Sequence, residues 1–126
     1  MDGLRKLLVI DDEAGTLFYM EKEYSRKGVA VFGALSIDEA RAILKKENPA
    51  VVVVETFVPY SEEFLKEVRQ FNKNIIRVIH TTIHPPGYQE NCFKQYLCEY
   101  YFEKPLSDEQ KQQGMDDIIT GAVKET

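Results

Sequence analysis

Along the chain, short apolar runs alternate with longer stretches in which apolar residues recur at helical spacing. Five short runs predict β-strands, at residues 7–10, 29–32, 51–54, 75–81 and 100–103. The stretches between and after them predict α-helices: from about residue 14 to 27, from a cap at Ser36 to Asn48, from a cap at Ser61 onward, from about 88 to 98, and from a cap at Ser107 or Asp108 to about 124. A strand followed by a helix, five times over, predicts an α/β fold: a doubly wound, five-stranded parallel sheet with helices on both faces, (βα)5.

The length and composition favour one domain that spans residues 1–126, because no linker or repeat divides the chain. Apolar runs such as Val51 to Val54 are far too short to cross a bilayer, which predicts a cytoplasmic protein without membrane contact. A net charge of −5 argues against binding to nucleic acid, which requires a basic surface. Cys92 and Cys98 lack the partners of a zinc site and are interpreted as structural thiols.

The residues that follow the strands carry the candidate chemistry, because ligands of such sheets bind at the carboxyl ends of the strands. The first predicted strand ends in Asp11-Asp12-Glu13, the third in Glu55, the fourth in Thr81-Thr82 and the fifth in Lys104-Pro105. Carboxylate oxygens suit Mg²⁺, whereas a hydroxyl and an ammonium group bind phosphoryl oxygens. Each feature alone is common in turns and helix caps; their joint placement predicts one site.

Four segments together resemble response-regulator receiver domains: LLVIDDE, a valine-rich strand that ends in an acid four residues before Pro59, VIHTT, and YYFEKPL. The resemblance extends from Leu7 to the final helix. It implies a flavodoxin-like signalling module of a two-component phosphorelay. It also implies that Asp11, Asp12 and residue 55 hold Mg²⁺. In this chain we expect at most weak binding, and two alternatives stay open: Glu55 serves as the ligand, or its extra length excludes the ion.

The same resemblance assigns the remaining site residues. Thr82 matches the hydroxyl residue after the fourth strand, with Thr81 as the alternative register. Lys104 matches the lysine that contacts the phosphoryl group, and a cis peptide bond is expected before Pro105. Tyr101 matches the aromatic residue that changes rotamer on activation.

The chain departs from the receiver pattern at the phosphate-accepting position, where Glu55 replaces aspartate. The added methylene moves the carboxylate outward by about 1.5 Å, and a shift of about 1 Å in a reacting group lowers rates roughly 100-fold. Glu55 is therefore expected to be a poor acceptor that pairs with Lys104 and Thr82 instead. We interpret the chain as an atypical receiver that acts without phosphorylation at residue 55; a decayed site is the alternative. Ile83 replaces a small residue and is expected to crowd the approach of phosphodonors.

Partners follow from the resemblance: a histidine kinase, a phosphotransfer protein or a downstream effector. Aromatic residues are concentrated in the fourth helix and fifth strand, where Tyr96 and Tyr101 are candidates for an interface. A homodimer through the fourth helix, fifth strand and fifth helix is left open. His80 is interpreted as packed in a strand and His84 as a residue of an exposed loop.

An enzyme is the second hypothesis: a Mg²⁺-dependent phosphohydrolase or phosphotransferase of related α/β fold. Such an enzyme of the haloacid-dehalogenase type would have an Asp-x-Asp motif and a cap domain, whereas Asp11 and Asp12 are adjacent and the chain is short. A nucleotide-binding enzyme would have a glycine-rich loop after the first strand, where only Gly15 is found. A non-enzymatic module is therefore favoured.

Overall fold

The computed structural model describes residues 3–122, which form one five-stranded sheet and five helices. The elements alternate along the chain: β1 (Arg5–Ile10), α1 (Ala14–Ser25), β2 (Val29–Ala34), α2 (Ile37–Glu47), β3 (Val51–Val54), α3 (Ser61–Phe71), β4 (Ile76–Thr81), α4 (Tyr88–Lys94), β5 (Tyr100–Glu103) and α5 (Glu109–Thr120). The strands are all parallel, in the order β2-β1-β3-β4-β5. The predicted fold class is confirmed.

The sheet is buried on both faces, which explains why β1 and β3 are uninterrupted apolar runs. Alternate residues of a strand point to opposite faces. Leu8 and Ile10 thus pack in the core under α2, α3 and α4, whereas Leu7 and Val9 pack in the core under α1 and α5. All four valines of β3 are buried. Each face of the sheet therefore has its own apolar core, and the polar site residues are left at the strand ends.

The capping signals position two of the helices. Ser36 Oγ accepts a hydrogen bond from the Glu39 N–H at 3.3 Å, and the Glu39 carboxylate accepts one from the Leu35 N–H at 2.8 Å. Asp108, one of the two predicted caps, accepts from the first turn of α5. Ser61 is not a cap: α3 begins at Ser61, whose Oγ donates to the Thr56 carbonyl at 2.9 Å. The last helix ends at Thr120, where Gly121 adopts a left-handed conformation, rather than near residue 124 as predicted.

The fourth helix is shorter than predicted. It ends at Lys94 rather than near Cys98, because Tyr96 adopts a left-handed conformation with φ of 55°. The Leu97 N–H then donates to the Cys92 carbonyl at 3.0 Å, a bond typical of helix C-termini. This turn buries Leu97 and Cys98 in the core and leaves Tyr96 at the surface. Both cysteines are buried and free, as predicted.

A buried arginine in β4 was not predicted. Arg77 is almost completely buried, and its guanidinium contacts Glu99 Oε2 at 2.6 Å and the Leu65 carbonyl at 3.2 Å. These contacts join β4 to α3 and to the segment before β5. Arg77 lies at the start of β4, away from the strand ends that form the site, so its role is structural.

Among residues 3–122, none of the helices is long and apolar enough to cross a membrane.

Candidate functional site

The candidate site lies where the carboxyl ends of β1 and β3 adjoin. The chain passes from β1 to β2 on one side of the sheet and then to β3 on the other, so the winding direction changes at β1. A crevice forms at such a change in parallel sheets. Asp11 follows β1 and Glu55 follows β3, and both side chains are buried in the crevice, with exposed fractions of 2% and 4%.

Lys104 joins the two buried acids. Its Nζ lies 2.6 Å from Asp11 Oδ2 and 3.2 Å from Glu55 Oε1. The Lys104 backbone N–H donates to the Thr81 carbonyl at 2.7 Å, next to the cis peptide bond between Lys104 and Pro105 that was predicted. We call Asp11, Glu55, Thr81 and Lys104 the ion-pair site.

The surroundings favour the charged forms of both Lys104 and Glu55. Burial by itself lowers the pKa of Lys104, but its hydrogen bonds to Asp11 and Glu55 outweigh burial and raise that pKa. Burial likewise acts to raise the pKa of Glu55, but hydrogen bonds from Thr81, the Phe57 N–H and Lys104 outweigh it and lower that pKa. Glu55 is therefore a carboxylate at neutral pH.

The hydroxyl that contacts Glu55 in the crevice is that of Thr81, the alternative register, rather than that of the preferred Thr82. Thr81 is the last residue of β4, is fully buried and donates a hydrogen bond to Glu55 Oε2. Thr82 is exposed one residue beyond the strand. Because successive strand residues point to opposite faces, a shift of one residue decides which hydroxyl enters the crevice. Both threonines are present in the sequence, and no local pattern indicates which of the two hydroxyls faces the crevice.

Every carboxylate oxygen of Asp11 and Glu55 is hydrogen-bonded within the protein. Glu55 Oε2 accepts from Thr81 and from the Phe57 N–H at 3.1 Å, and Asp11 Oδ1 accepts from the Glu13 N–H at 3.0 Å. Asp12, the third predicted metal ligand, is exposed. Within residues 3–122 no three acidic, histidine or cysteine side chains are grouped to hold a metal ion.

His84 lies in the loop after β4, as predicted, but its side chain is half-buried in the wall of the crevice. Its ring is stacked between the rings of Phe57 and Tyr88. The centroid distances are 4.0 Å to Phe57 and 3.8 Å to Tyr88, and the angles between the ring planes are 9° and 10°. Its Nε2 lies 2.9 Å from Thr56 Oγ1 and 3.1 Å from Thr81 Oγ1. We call Phe57, His84 and Tyr88 the aromatic stack. Burial lowers the pKa of His84 despite the opposing effect of Glu55 and Glu62, so the ring is neutral at pH 7.

The aromatic stack extends toward the fifth strand. The Tyr88 hydroxyl donates to Glu62 Oε2 at 2.9 Å, and the rings of Tyr88 and Tyr101 form a T-shaped pair with their centroids 6.4 Å apart. Tyr101 is half-buried in β5. Tyr96, the other candidate for an interface, is 74% exposed at the end of α4 and lies outside this chain of rings.

Two further residues singled out in the sequence, Ile83 and His80, lie near the crevice: Ile83 is exposed, whereas His80 is partly buried. The side chain of Ile83, which was expected to crowd the approach of phosphodonors, is 74% exposed in the loop after β4. His80 is partly buried in β4, as predicted, and burial together with the charge of Lys104 lowers its pKa to about 4. His80 also lines a cavity of about 470 Å³ between α1 and α5 that reaches Lys104.

No family model matches the chain. Among curated proteins, it is 28% identical over 78 residues, 60% of its length, to sporulation initiation phosphotransferase F of Bacillus subtilis (strain 168). It is also 41% identical over 54 residues, 43% of its length, to the probable transcriptional regulator ycf27 of Porphyridium aerugineum. The matches cover 63% of the first protein and 22% of the second, less than two thirds of either.

Solved structures of receiver domains superpose on nearly the whole chain. A CheY-like receiver domain protein from Methanospirillum hungatei JF-1 has a TM-score of 0.79 at 16% identity, over 93% of this chain and 94% of its own. CheY4 of Vibrio cholerae has a TM-score of 0.79 at 22% identity, over 92% of this chain and 99% of its own. The chain has the fold of response-regulator receiver domains. The sequence resemblance to this fold is thus confirmed.

One structure with the receiver fold carries ligands. Response regulator TrrA of Thermotoga maritima, in complex with Mg²⁺ and BeF, has a TM-score of 0.74 at 17% identity, over 91% of this chain and 99% of its own. In the present chain, the receiver fold brings together Asp11, Glu55 and Lys104, as the sequence predicted. Thr81 rather than Thr82 contacts Glu55, and the aromatic stack adjoins Thr81 through His84.

Proposed function

We propose that this chain is a signalling module of the receiver type that acts through protein–protein contacts without phosphorylation at residue 55. Its conformational state is set by the ion-pair site. The observation that carries the proposal is the double contact of Glu55, with Lys104 through Oε1 and with Thr81 through Oε2. The resemblance assigns the Lys104 ammonium to a phosphoryl group, and Thr81 is the alternative register for the hydroxyl that accompanies it.

Glu55 is a partial substitute for an aspartyl phosphate. Its additional methylene extends the carboxylate by about 1.5 Å, toward the position of phosphoryl oxygens on an aspartate. It has one negative charge, compared with roughly −1.5 to −2 for a phosphoryl group. Its contacts with Lys104 and Thr81 hold Glu55 inside the crevice as an ion rather than as an exposed nucleophile. The same contacts favour the active-like state of the domain.

The receiver fold and the curated relatives support a place in phosphorelay signalling. We propose a histidine kinase, a phosphotransfer protein or a downstream effector as the partner class, in the cytoplasm. The exposed Tyr96 and half-buried Tyr101 offer aromatic contacts on the surface formed by α4 and β5. A homodimer through α4, β5 and α5 is the alternative use of that surface.

Binding of Mg²⁺ is expected to be weak. The residues that would hold it are Asp11, Asp12 and Glu55, and bound ion would neutralise phosphoryl charge. Asp11 and Glu55 are engaged by Lys104, however, and Asp12 is exposed, so the donor set does not fit the ion in this arrangement. No step of the proposed function depends on the metal.

NMR spectroscopy of the wild type, Glu55→Asp and Glu55→Gln tests the proposal. Glu55→Asp with Mg²⁺ and beryllofluoride supplies the active reference, and the same variant alone supplies the inactive one. The amide and ring resonances of the wild type near Thr81, Tyr88 and Tyr101 should lie closer to the active reference. Glu55→Gln should shift them toward the inactive one, because it removes the charge that pairs with Lys104.

Glu63→Gln is the matched control, because Glu63 is an exposed glutamate in the first turn of α3. It should leave these resonances unchanged. A wild-type spectrum that coincides with Glu55→Asp alone would contradict the proposal. Failure of Glu55→Asp to respond to beryllofluoride would favour the decayed site. The enzyme alternative is checked by turnover of generic phosphoesters with Mg²⁺ by the wild type.

A further inference from the structure

The ion-pair site compensates part of its charge internally, with one ammonium group between two carboxylates. Two carboxylates that are buried side by side repel each other and favour protonation unless a cation lies between them. Lys104 Nζ is within hydrogen-bond distance of one oxygen of each acid, 2.6 Å from Asp11 and 3.2 Å from Glu55. The other two oxygens accept from Thr81 and from the N–H groups of Phe57 and Glu13. Among the described residues, no buried side-chain oxygen or nitrogen is left without a hydrogen bond.

This arrangement conflicts with the donor set that a magnesium ion requires. Mg²⁺ takes near-octahedral oxygen ligands at about 2.0–2.1 Å. To bind Asp11 Oδ2 and Glu55 Oε1, the ion would have to take the place of the Lys104 ammonium. Two cations in contact with the same two oxygens would lie close together and repel strongly in a buried site. Asp12 offers no compensation within the crevice, since its side chain is exposed.

We propose that the Lys104 ammonium is the resident cation of this site, and that it competes with divalent ions for Asp11 and Glu55. The wild-type fold and its ion-pair site then need no Mg²⁺. Loss of the ammonium turns the two acids into a divalent-cation site. This inference goes beyond the proposed function, because it holds whether or not the domain has a signalling partner.

Thermal unfolding with and without Mg²⁺ tests the competition. Wild type, Lys104→Met and Lys6→Met are unfolded in 0 and 10 mM MgCl₂ at constant ionic strength, followed by circular dichroism. Lys6→Met is the control, because Lys6 also forms an ion pair, at 3.1 Å with Glu47, but lies on β1 five residues before Asp11. The Tm of the wild type and of Lys6→Met should not change with Mg²⁺.

Lys104→Met should be less stable than the wild type without Mg²⁺ and should regain stability as Mg²⁺ is added. Its apparent affinity for Mg²⁺ should exceed that of the wild type by about tenfold or more, the factor that corresponds to about 1.4 kcal/mol. A wild-type Tm that rises with Mg²⁺ as much as that of Lys104→Met would overturn the proposal. So would a Lys104→Met variant that folds but does not respond to Mg²⁺.

A measurement on the wild type alone decides the matter if Lys104→Met does not fold. Mn²⁺ broadens the NMR signals of nearby amides, so the probe is Mn²⁺ titrated from 0.05 to roughly 1 mM, a range in which weak protein sites fill. Amides of Glu13 and Phe57 should broaden no more than those of exposed acids such as Glu63. Selective broadening at Glu13 and Phe57 would show a divalent ion between Asp11 and Glu55 and refute the role of Lys104.

Discussion

At the scale of single residues, the site depends on which of two adjacent threonines enters the crevice. Thr81 donates to Glu55 Oε2 and lies 3.1 Å from His84 Nε2. A hydroxyl that bonds a buried carboxylate contributes more than one that bonds a neutral group. The contact also helps to keep the pKa of Glu55 low, so this hydroxyl and the charge of Glu55 are linked.

Thr81→Val should lower the free energy of unfolding by about 2 kcal/mol, because Glu55 loses a buried hydrogen-bond donor. It should also raise the pKa of Glu55, measured by NMR titration of the carboxyl carbon. Thr82→Val is the control: as an exposed residue it should change stability by no more than about 0.5 kcal/mol. Urea unfolding compares the two. Equal losses, or a larger loss in Thr82→Val, would return the hydroxyl role to Thr82.

His80 makes the stability of the domain depend on pH between about 6.5 and about 4. Burial and Lys104 lower its pKa in the folded state, so the unfolded chain binds a proton in this range and the folded chain does not. Stability from this residue therefore falls as the pH is lowered. When the pH is lowered from 7 to 5, the free energy of unfolding of His80→Gln should fall by about 1–2 kcal/mol less than that of the wild type. Parallel urea-unfolding curves at both pH values for the two proteins would contradict this.

Between elements, the aromatic stack connects the loop after β3 to the loop after β4 and to α4. Phe57 lies in the loop after β3, His84 lies in the loop after β4, and Tyr88 is the first residue of α4. Through Tyr88, the stack meets Tyr101 in β5. A disturbance at Thr81 therefore has a contiguous set of packed rings along which it can reach the surface that carries Tyr101.

His84→Ala should remove the central ring of the stack and destabilise the domain by about 1–3 kcal/mol, since each stacked pair contributes about 0.5–1.5 kcal/mol. It should also shift the NMR signals of the Tyr88 and Tyr101 rings. Ile83→Ala is the control at the adjacent residue, where an exposed side chain should matter little for stability or for the ring signals. If His84→Ala leaves the Tyr101 signals in place, the stack does not connect the site to β5.

The elements themselves were largely predictable, and the exceptions have local causes. Apolar runs and caps located the strands because each run lies in a sheet that is buried on both faces. The end of α4 was missed because the left-handed turn at Tyr96 has no glycine to signal it. The role of His84 was missed because its stacking on Phe57 and Tyr88 depends on how the loops after β3 and β4 and the start of α4 are placed, which spacing along the chain does not reveal.

For the whole molecule, the winding of the sheet explains why the site could be located from sequence. Parallel strands joined by helices bring their carboxyl ends to one edge, so Asp11, Glu55 and Lys104 meet although they are far apart in the chain. Spacing along the chain could not decide the state of the site, because that state depends on the contacts of Lys104 with the two acids, at 2.6 and 3.2 Å. The receiver fold thus predicts the location and not the chemistry.

The central claim is that Glu55 occupies the phosphoryl position and does not accept phosphate. Intact mass after treatment with acetyl phosphate and Mg²⁺, on the wild type and Glu55→Asp side by side, tests it most directly. We expect the wild type to keep its mass and Glu55→Asp to gain one phosphoryl group, because the aspartate is shorter by one methylene and Thr81 and Lys104 remain. A phosphoryl group on wild-type Glu55, located by peptide mapping, would contradict the claim.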